Sequence, residues 1–369
     1  MKGTSLSIVM PVFNEARHLA ATVDALAAAL DGSAFEGDLV VVDDGSSDGS
    51  GGVARAAADG RIPMRVLRQP NTGRFEARRR GLEAADGRYV LFLDARVHLE
   101  PDALRFVGTR IDAGERVWNA HVYVRGGSGF ATFWRLLAEL AWRDYFDDPR
   151  TTRFGLEDFD RYPKGTTCFF APRTLLEWAF RQFSTRYGDV RLANDDTPIL
   201  RALAAEEPIG ISPRFACDYA ARETLRSFVR HAFHRGVVFL DGHGTPASRF
   251  FWPTVAFFPV SAATAAVAWR RPALGAAVVA ATGVGAAAYG TRARRSRDEV
   301  VTLGLVTPLY AVAHGAGMWR GLAELVRFRM PRSRIAPARG ARTANPPATS
   351  ANAILAPTEK LGSDPGFEE

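Results

Sequence analysis

Cysteine is scarce: the 369 residues hold only Cys168 and Cys217. Two cysteines make no disulfide scaffold, and no Cys or His spacing is that of a metal site. The expectation is two reduced, partly buried thiols in a reducing compartment. No secretory leader is expected either. The first apolar run, within MKGTSLSIVMPVFNE, is short, β-branched and followed at once by polar residues. The N-terminal part is therefore expected to stay in the cytosol. Charge is missing from three stretches, Phe250 to Trp269, Pro272 to Thr291 and Val300 to Trp319. Each is about the length that crosses a bilayer.

What is present bounds the architecture. Hydrophobic residues make up 47% and charged residues 24%, enough for a sizeable core. The length suits one large domain plus an appendage. The net charge of +7 suits phosphate-bearing ligands, anionic lipid or nucleic acid, without choosing among them.

Strand and helix patterns alternate through the first hundred residues. Leu6 to Val12, Leu39 to Val42, Arg65 to Leu67 and Tyr89 to Leu93 read as buried strands. Leu19, Val23, Leu26 and Leu30 recur at helical spacing, and a second helix is expected over Phe75 to Ala85. This alternation predicts an α/β fold with a mostly parallel sheet flanked by helices on both faces. Ligands of such sheets lie beyond the carboxyl ends of the strands, where Asp43, Asp44 and Asp94 fall. Beyond Val117 the alternation loosens. Strands are expected over Val117 to Val124 and Thr166 to Ala171, with helices over Gly129 to Tyr145, Arg173 to Phe183 and Thr197 to Ala205.

The division expected is residues 1–245 as one domain, with halves 1–115 and 116–245, then membrane-associated helices over 250–330 and a disordered tail over 337–369. The apolar stretches are separated by Arg270-Arg271 and by a basic run from Arg292 to Arg297. Basic punctuation of this kind favours a membrane over three buried helices of a soluble domain. The arginines from Arg292 to Arg297 and those from Arg320 to Arg342 both look cytoplasmic, which favours a hairpin of the first two stretches, with the third lying in or re-entering the membrane. Gly317 and Gly321 would allow close helix packing.

Four pieces carry a resemblance: SIVMPVFNEARHL (Ser5 to Leu19), VVVDDGSSDGS (Val40 to Ser50), NTGRFEARRRG (Asn71 to Gly81) and GRYVLFLDARVHLEPDAL (Gly87 to Leu104). In order and spacing they resemble the family 2 glycosyltransferases, which have the GT-A fold. The resemblance implies a nucleotide-sugar donor, inverting displacement at the anomeric carbon, and a nucleotide pocket bordered by Pro11, Glu15 and Asp44 with Asp43 nearby. Arg78 matches a position that lines the nucleotide site. Arg74, Arg79 and Arg80 are balanced between that site and a solvated helix face.

One piece departs from the family. Its usual Asp-x-Asp, which holds a divalent cation on the diphosphate, is here Asp94-Ala95-Arg96. Either Arg96 neutralises the diphosphate itself, or Mg²⁺ or Mn²⁺ binds through Asp94, substrate phosphates and water. The family norm favours the retained metal. The acceptor hydroxyl needs a base. By resemblance this is Asp196, with Asp195 its companion, in Asn194-Asp195-Asp196-Thr197-Pro198. The alternative is ordinary capping of a helix before Pro198. Glu157, Asp158 and Asp160 are the weaker rivals. His231 and His234 stand where processive members carry Gln-x-x-Arg-Trp, which argues against a processive enzyme.

The tail, Thr307 to Tyr310 and Ala313 to Leu322, resembles membrane-associated exopolysaccharide glycosyltransferases of the succinoglycan type. The implied partners are a nucleotide-sugar donor, probed first as a UDP-sugar, a lipid-linked or other glycan acceptor and the membrane, with no nucleic acid. The implied location is the cell membrane, with the catalytic part facing the cytoplasm. A polyprenyl-phosphate sugar synthase and a catalytically silent scaffold subunit are the alternatives.

Overall fold

A computed structural model describes residues 3–246 and 248–329. The tail expected to be disordered, 337–369, lies outside the described residues. Strand β1 (Thr4–Val12) leads to helix α1 (Ala16–Asp31), then β2 (Phe35–Asp43), α2 (Ser50–Ala58), β3 (Met64–Arg68), α3 (Arg74–Glu83) and β4 (Tyr89–Leu93). These four strands lie in the order β3-β2-β1-β4 and all run parallel. The side chains follow the period-2 rule of a strand. Ile8 and Met10 of β1 enter one core with Leu19, Val23 and Leu26 of α1. Val9 enters the opposite core with Val40, Val90 and Phe92. Both faces of the sheet are therefore covered, as the alternation predicted.

The second half is mixed. It contains β5 (Val97–Leu99), α4 (Ala103–Asp112), β6 (Trp118–Arg125), α5 (Gly129–Ala141), α6 (Arg143–Phe146), β7 (Thr152–Phe154), β8 (Cys168–Pro172), α7 (Arg173–Arg181), α8 (Thr197–Glu206) and β9 (Ile209–Ala220). The sheet continues from β4 through β8, β6 and β9 to β5, and β7 also pairs with β9. β8 runs antiparallel to both β4 and β6, whereas β6 and β9 are parallel. All five residues of β8 are buried, so nothing in their pattern reports strand direction. Cys168 and Cys217 are both buried and free.

Four helices follow: α9 (Leu225–His243), α10 (Phe251–Arg270), α11 (Pro272–Arg292) and α12 (Arg297–Arg329). The last three are long and apolar enough to cross a membrane. α10 and α11 are mostly exposed, with Trp252 at 74%, Trp269 at 90% and Val284 at 71%. α12 is held differently. At its start Arg135 pairs with Glu299 at 2.6 Å, and Arg295 just before it pairs with Glu139 at 2.6 Å. Phe133 and Leu136 of α5, Phe228 of α9 and Leu303 of α12 share a small core. In its middle α12 touches α9 backbone to backbone: a Cβ on Gly236 would collide with the His314 carbonyl, and one on Gly317 with the Phe233 carbonyl. Near its end Gly321 lies beside Tyr187, and Phe328 lies against Gly188. The close packing expected of Gly317 and Gly321 is thus present, with α9 as the partner.

Candidate active site

The carboxyl ends of the parallel strands open onto a cleft of ≈ 240 Å³. Of the residues singled out in the sequence, Pro11, Glu15, Asp44, Asp94 and Arg96 line it. Arg74 of α3 and His231 and His234 of α9 line it too, as do Phe13, Tyr219 and Arg222. Phe13 is 48% exposed, an aromatic face open to the cleft.

The turn after β2 is built by its own acids and serines. Asp43 Oδ1 accepts from the Ser46 N–H at 2.8 Å, so Asp43 sits behind the cleft wall as a turn cap. Asp44 Oδ1 accepts from the Thr72 N–H and from Gln69 Nε2, each at 2.8 Å, and its Oδ2 accepts from the Gly73 N–H at 2.9 Å. Asp44 thereby fixes the loop that leads into α3. The turn also anchors the start of α1. Ser46 Oγ, Ser50 Oγ and Asp48 Oδ2 accept from the N–H groups of Asn14, Glu15 and Ala16, each at 3.0 Å. Asn14 adopts a left-handed φ of 55° there. Its short polar side chain suits that conformation, and its Oδ1 accepts from the Ser47 N–H at 2.9 Å.

Below the cleft lies a charged cluster. Arg78, 2% exposed, reaches up from α3. Its Nη2 donates to Asp94 Oδ1 at 2.7 Å, its Nη1 donates to Asp195 Oδ2, and Asp196 Oδ1 lies 3.9 Å from Nη1. Arg74 Nη2 is 3.4 Å from Asp195 Oδ1. Arg78 is therefore a buried strut between the strand-end carboxylate and the Asp195-Asp196 pair, and does not line the cleft. Burial alone would raise the Asp195 pKa, but Arg74 and Arg78 outweigh it and hold the carboxyl below its ordinary range. Asp196 moves the other way: its partial withdrawal from water and the neighbouring Asp195 charge raise it. One carboxylate is locked as an anion, and the other is poised to take a proton.

The helix-capping alternative for Asp196 does not hold in this geometry. Asp196 stands at the N-cap position of α8, but its side chain makes no capping bond; Asn194 Oδ1 instead accepts from the Thr197 N–H at 2.9 Å and the Asp196 N–H at 3.3 Å. The Asp196 carboxylate, 38% exposed, instead accepts from Thr166 Oγ1 and from the Thr166 N–H at 3.2 Å. Asp241 of α9 braces this loop, accepting from Thr185 Oγ1, the Arg186 N–H and the Asn194 N–H at 2.9, 2.7 and 2.8 Å.

Arg96 is 8% exposed. Its Nε donates to Glu15 Oε1 at 2.8 Å, and its Nη1 is buried with no hydrogen-bond partner. The His234 pKa is lowered to about 4 by burial and by Arg74, so the ring is neutral at neutral pH. The rival acids sit elsewhere. Asp160 pairs with Arg201 at 3.5 Å and Lys164 at 3.8 Å, Asp158 pairs with Arg161 at 3.3 Å, and Glu157 is exposed; none lines the cleft. Arg79 is spent on Glu76 and Glu83 at 2.6 and 2.5 Å, and Arg80 donates to the Arg68 carbonyl at 2.8 Å.

The sequence signal missed Phe13, Tyr219 and Arg222. Phe13 sat inside a quoted motif, directly after a buried strand. Tyr219 and Arg222 lie at and beyond the end of β9, a strand that was not anticipated.

Residues 7–176 match the family model described as "Glycosyl transferase family 2". Among curated proteins, the uncharacterized glycosyltransferase YibD of Escherichia coli (strain K12) is 34% identical over 90 residues, 24% of this chain and 25% of the relative. The undecaprenyl-phosphate 4-deoxy-4-formamido-L-arabinose transferase of Aeromonas hydrophila subsp. hydrophila is 36% identical over 101 residues, 27% of this chain and 31% of the relative. The chain thus spans a quarter to a third of the length of these relatives. Among solved structures, the mannosyltransferase PcManGT of Pyrobaculum calidifontis, in complex with GDP-Man and Mn²⁺, is similar over 84% of this chain and 88% of its own, at 18% identity and a TM-score of 0.49. The matched segment takes in β2, β3, β4 and most of β1, together with Arg74, Arg78, Asp94 and Arg96, and over this segment the chain is similar to the glycosyl transferase family 2.

Proposed function

We propose that the chain is an inverting glycosyltransferase that moves a sugar from a nucleotide-sugar, a UDP-sugar in the first instance, to a lipid-linked acceptor. The observation that carries this reading is the state of the Asp195-Asp196 pair. Asp196 is released from capping by Asn194, oriented by Thr166, and raised in pKa next to a locked anion. In the reaction Asp196 takes the proton of the acceptor hydroxyl. The acceptor oxygen bonds to the anomeric carbon as the bond from that carbon to the diphosphate oxygen breaks. The nucleoside diphosphate leaves with the electron pair. Phe13, open at the cleft, offers a face for the base. A silent scaffold would have no need of a base so arranged.

The lipid acceptor is supported by a second cavity. An apolar groove of ≈ 590 Å³ runs between α9 and α12, lined by Leu225, Val229, Phe233, Leu309, Val312 and Ala313. Arg226 and Arg230 line it as well, one helical turn apart. α9 is the common wall, because His231 and His234 face the donor cleft while Arg230 and Phe233 face the groove. An isoprenoid chain along the groove, with its phosphate at the arginines, would deliver the head group towards the cleft. This feature also favours the second reading, a polyprenyl-phosphate sugar synthase, in which a phosphate oxygen is itself the nucleophile.

We place the α10–α11 hairpin in the membrane and the catalytic part on the cytoplasmic face. The basic loop from Arg292 to Arg297 lies on the catalytic side, through Arg295 and Glu139. α12 lies along the domain, in the plane of the membrane surface. Its 33 residues span about 50 Å, yet its start and its end both touch the same catalytic body.

The decisive experiment is Asp196→Asn in isolated membranes and in detergent, with UDP-sugars and with either polyprenyl phosphate or a polyprenyl-diphosphate sugar as acceptor. Transfer to the glycan hydroxyl should be lost while UDP binding persists. Unchanged turnover would remove Asp196 as base. Transfer to simple polyprenyl phosphate would select the second reading.

A further inference from the structure

A divalent cation at Asp94 does not fit the residues around it. Asp94 Oδ1 is already occupied by Arg78 at 2.7 Å. The position two residues on, where a second carboxylate would complete a cation site, is the guanidinium of Arg96. Among the described residues no three His, Cys, Asp or Glu side chains converge as a metal-binding group. Arg74 and Arg222 line the same cleft, so a cation seated there would face three guanidinium groups and the buried Arg78 beneath.

Arg96 is built for the opposite ligand. Its backbone is fixed on both sides: the Ala95 carbonyl accepts from Thr22 Oγ1 at 3.0 Å, and the Arg96 carbonyl accepts from the Ala220 N–H at 3.0 Å. Its side chain is aimed by Glu15 through Nε at 2.8 Å. That leaves Nη1, buried and with no partner, on a residue that lines the cleft. A buried N–H of a charged group left unbonded is costly, and ligands satisfy such groups. Planar guanidinium donors match phosphate oxygens in both charge and geometry. Glu15 lines the cleft as well: its Oε1 is paired with Arg96 and has Arg222 3.9 Å away, while its Oε2 is buried with no hydrogen-bond partner.

We propose that Arg96, flanked by Arg74 and Arg222, binds the donor diphosphate in place of a divalent cation, so that donor binding is independent of metal. The fixed positive charge then meets the negative charge that grows on the departing diphosphate, and no proton need move at this end of the reaction. The inference rests on the nucleotide-diphosphate donor proposed above, and its test separates the two.

The full chain in detergent, treated with EDTA, is titrated with UDP, GDP and uridine by calorimetry, and separately with Mn²⁺ followed by electron paramagnetic resonance. UDP or GDP should bind in EDTA, and added Mn²⁺ should change the affinity by no more than about twofold. Arg96→Gln should weaken diphosphate binding about 30-fold, the loss of one or two charge-assisted hydrogen bonds, and leave uridine binding unchanged. Arg96→Lys should recover part of the loss, which distinguishes a charge effect from misfolding. Arg96→Asp should make UDP binding respond to Mn²⁺. Diphosphate binding that appears only with Mn²⁺ overturns the proposal, as does Arg96→Gln binding UDP like the parent protein. Failure of both UDP and GDP to bind, with or without Mn²⁺, overturns the donor assignment and the inference with it.

Discussion

Arg78→Met removes the strut beneath the cleft and leaves a hydrophobic stem of similar length. Three carboxylates then lose a common cation: Asp94, Asp195 and, at 3.9 Å, Asp196. Breaking a buried ion pair from one side costs about 3–5 kcal/mol. Here the lower end applies. Asp195 keeps Arg74 at 3.4 Å, and the Asp94 side chain is 18% exposed and can draw on water. A loss of about 3 kcal/mol lowers Tm by roughly 4–6 °C in a protein of this size. The loss depends on pH in a definite direction. In the parent protein the depressed Asp195 pKa contributes stability that is present at neutral pH and is lost on acidification through that pKa. Without Arg78 the pair can regain a proton as pH falls, so the deficit should be smaller at pH 5 than at pH 8. Arg78→Met combined with Asp195→Asn should recover more than half of the lost Tm. The assay is thermal unfolding in detergent without nucleotide. A deficit below about 1 kcal/mol, or one equal at both pH values and untouched by the second substitution, would refute the strut.

Two other outcomes follow from the same geometry. Because the Asp196 pKa is raised and its deprotonated form is the active one, kcat should fall as pH drops, with its midpoint above the ordinary carboxylate range; a profile flat down to pH 4 would remove Asp196 from the chemistry. Gly317→Val would force α9 and α12 apart at a backbone contact, at a cost of about 1–3 kcal/mol or more, and should lower kcat together with Tm, whereas the same change at Gly285, which has open space around it, should leave both within error.

The parallel half of the fold was legible because its strands are short apolar runs, each ended by a turn or an acid. Asp44, Asp94 and Asp196 could be found for the same reason: strand ends and helix starts are where a sequence declares its punctuation. Much of what completes the site was not legible. β9 carries Pro213 and Arg214 in its middle, and its register with β6 shifts between Ala120 and His121, so neither a clean alternation nor an apolar run marks it. Tyr219 and Arg222 reach the cleft only because that strand exists. Arg78 was assigned to the cleft wall by its place in a motif, and only the packing of α3 under the sheet shows it turned toward Asp94 and Asp195. The row Asn194-Asp195-Asp196 offers three good helix caps in succession. Sequence cannot choose among them, and the choice of Asn194 is what leaves Asp196 free.

Hydropathy is equally blind at α12. Its composition is that of a crossing helix, and what argues against a crossing is where its two ends lie. Arg295 and Glu299 hold its start to α5, and Phe328 meets Gly188 at the other end. Between them Gly317 meets α9, the helix that walls the donor cleft with His231 and His234 and braces the base-bearing loop through Asp241. Through this contact α12 bears on α9, and Asp241 of α9 accepts from the N–H of Asn194, whose side chain takes the first-turn N–H of α8 in place of Asp196. The apolar groove lies in that same α9–α12 seam. The groove and the Asp195-Asp196 loop are thus joined through Gly236, Gly317 and the buried Asp241, none of which lines the donor cleft.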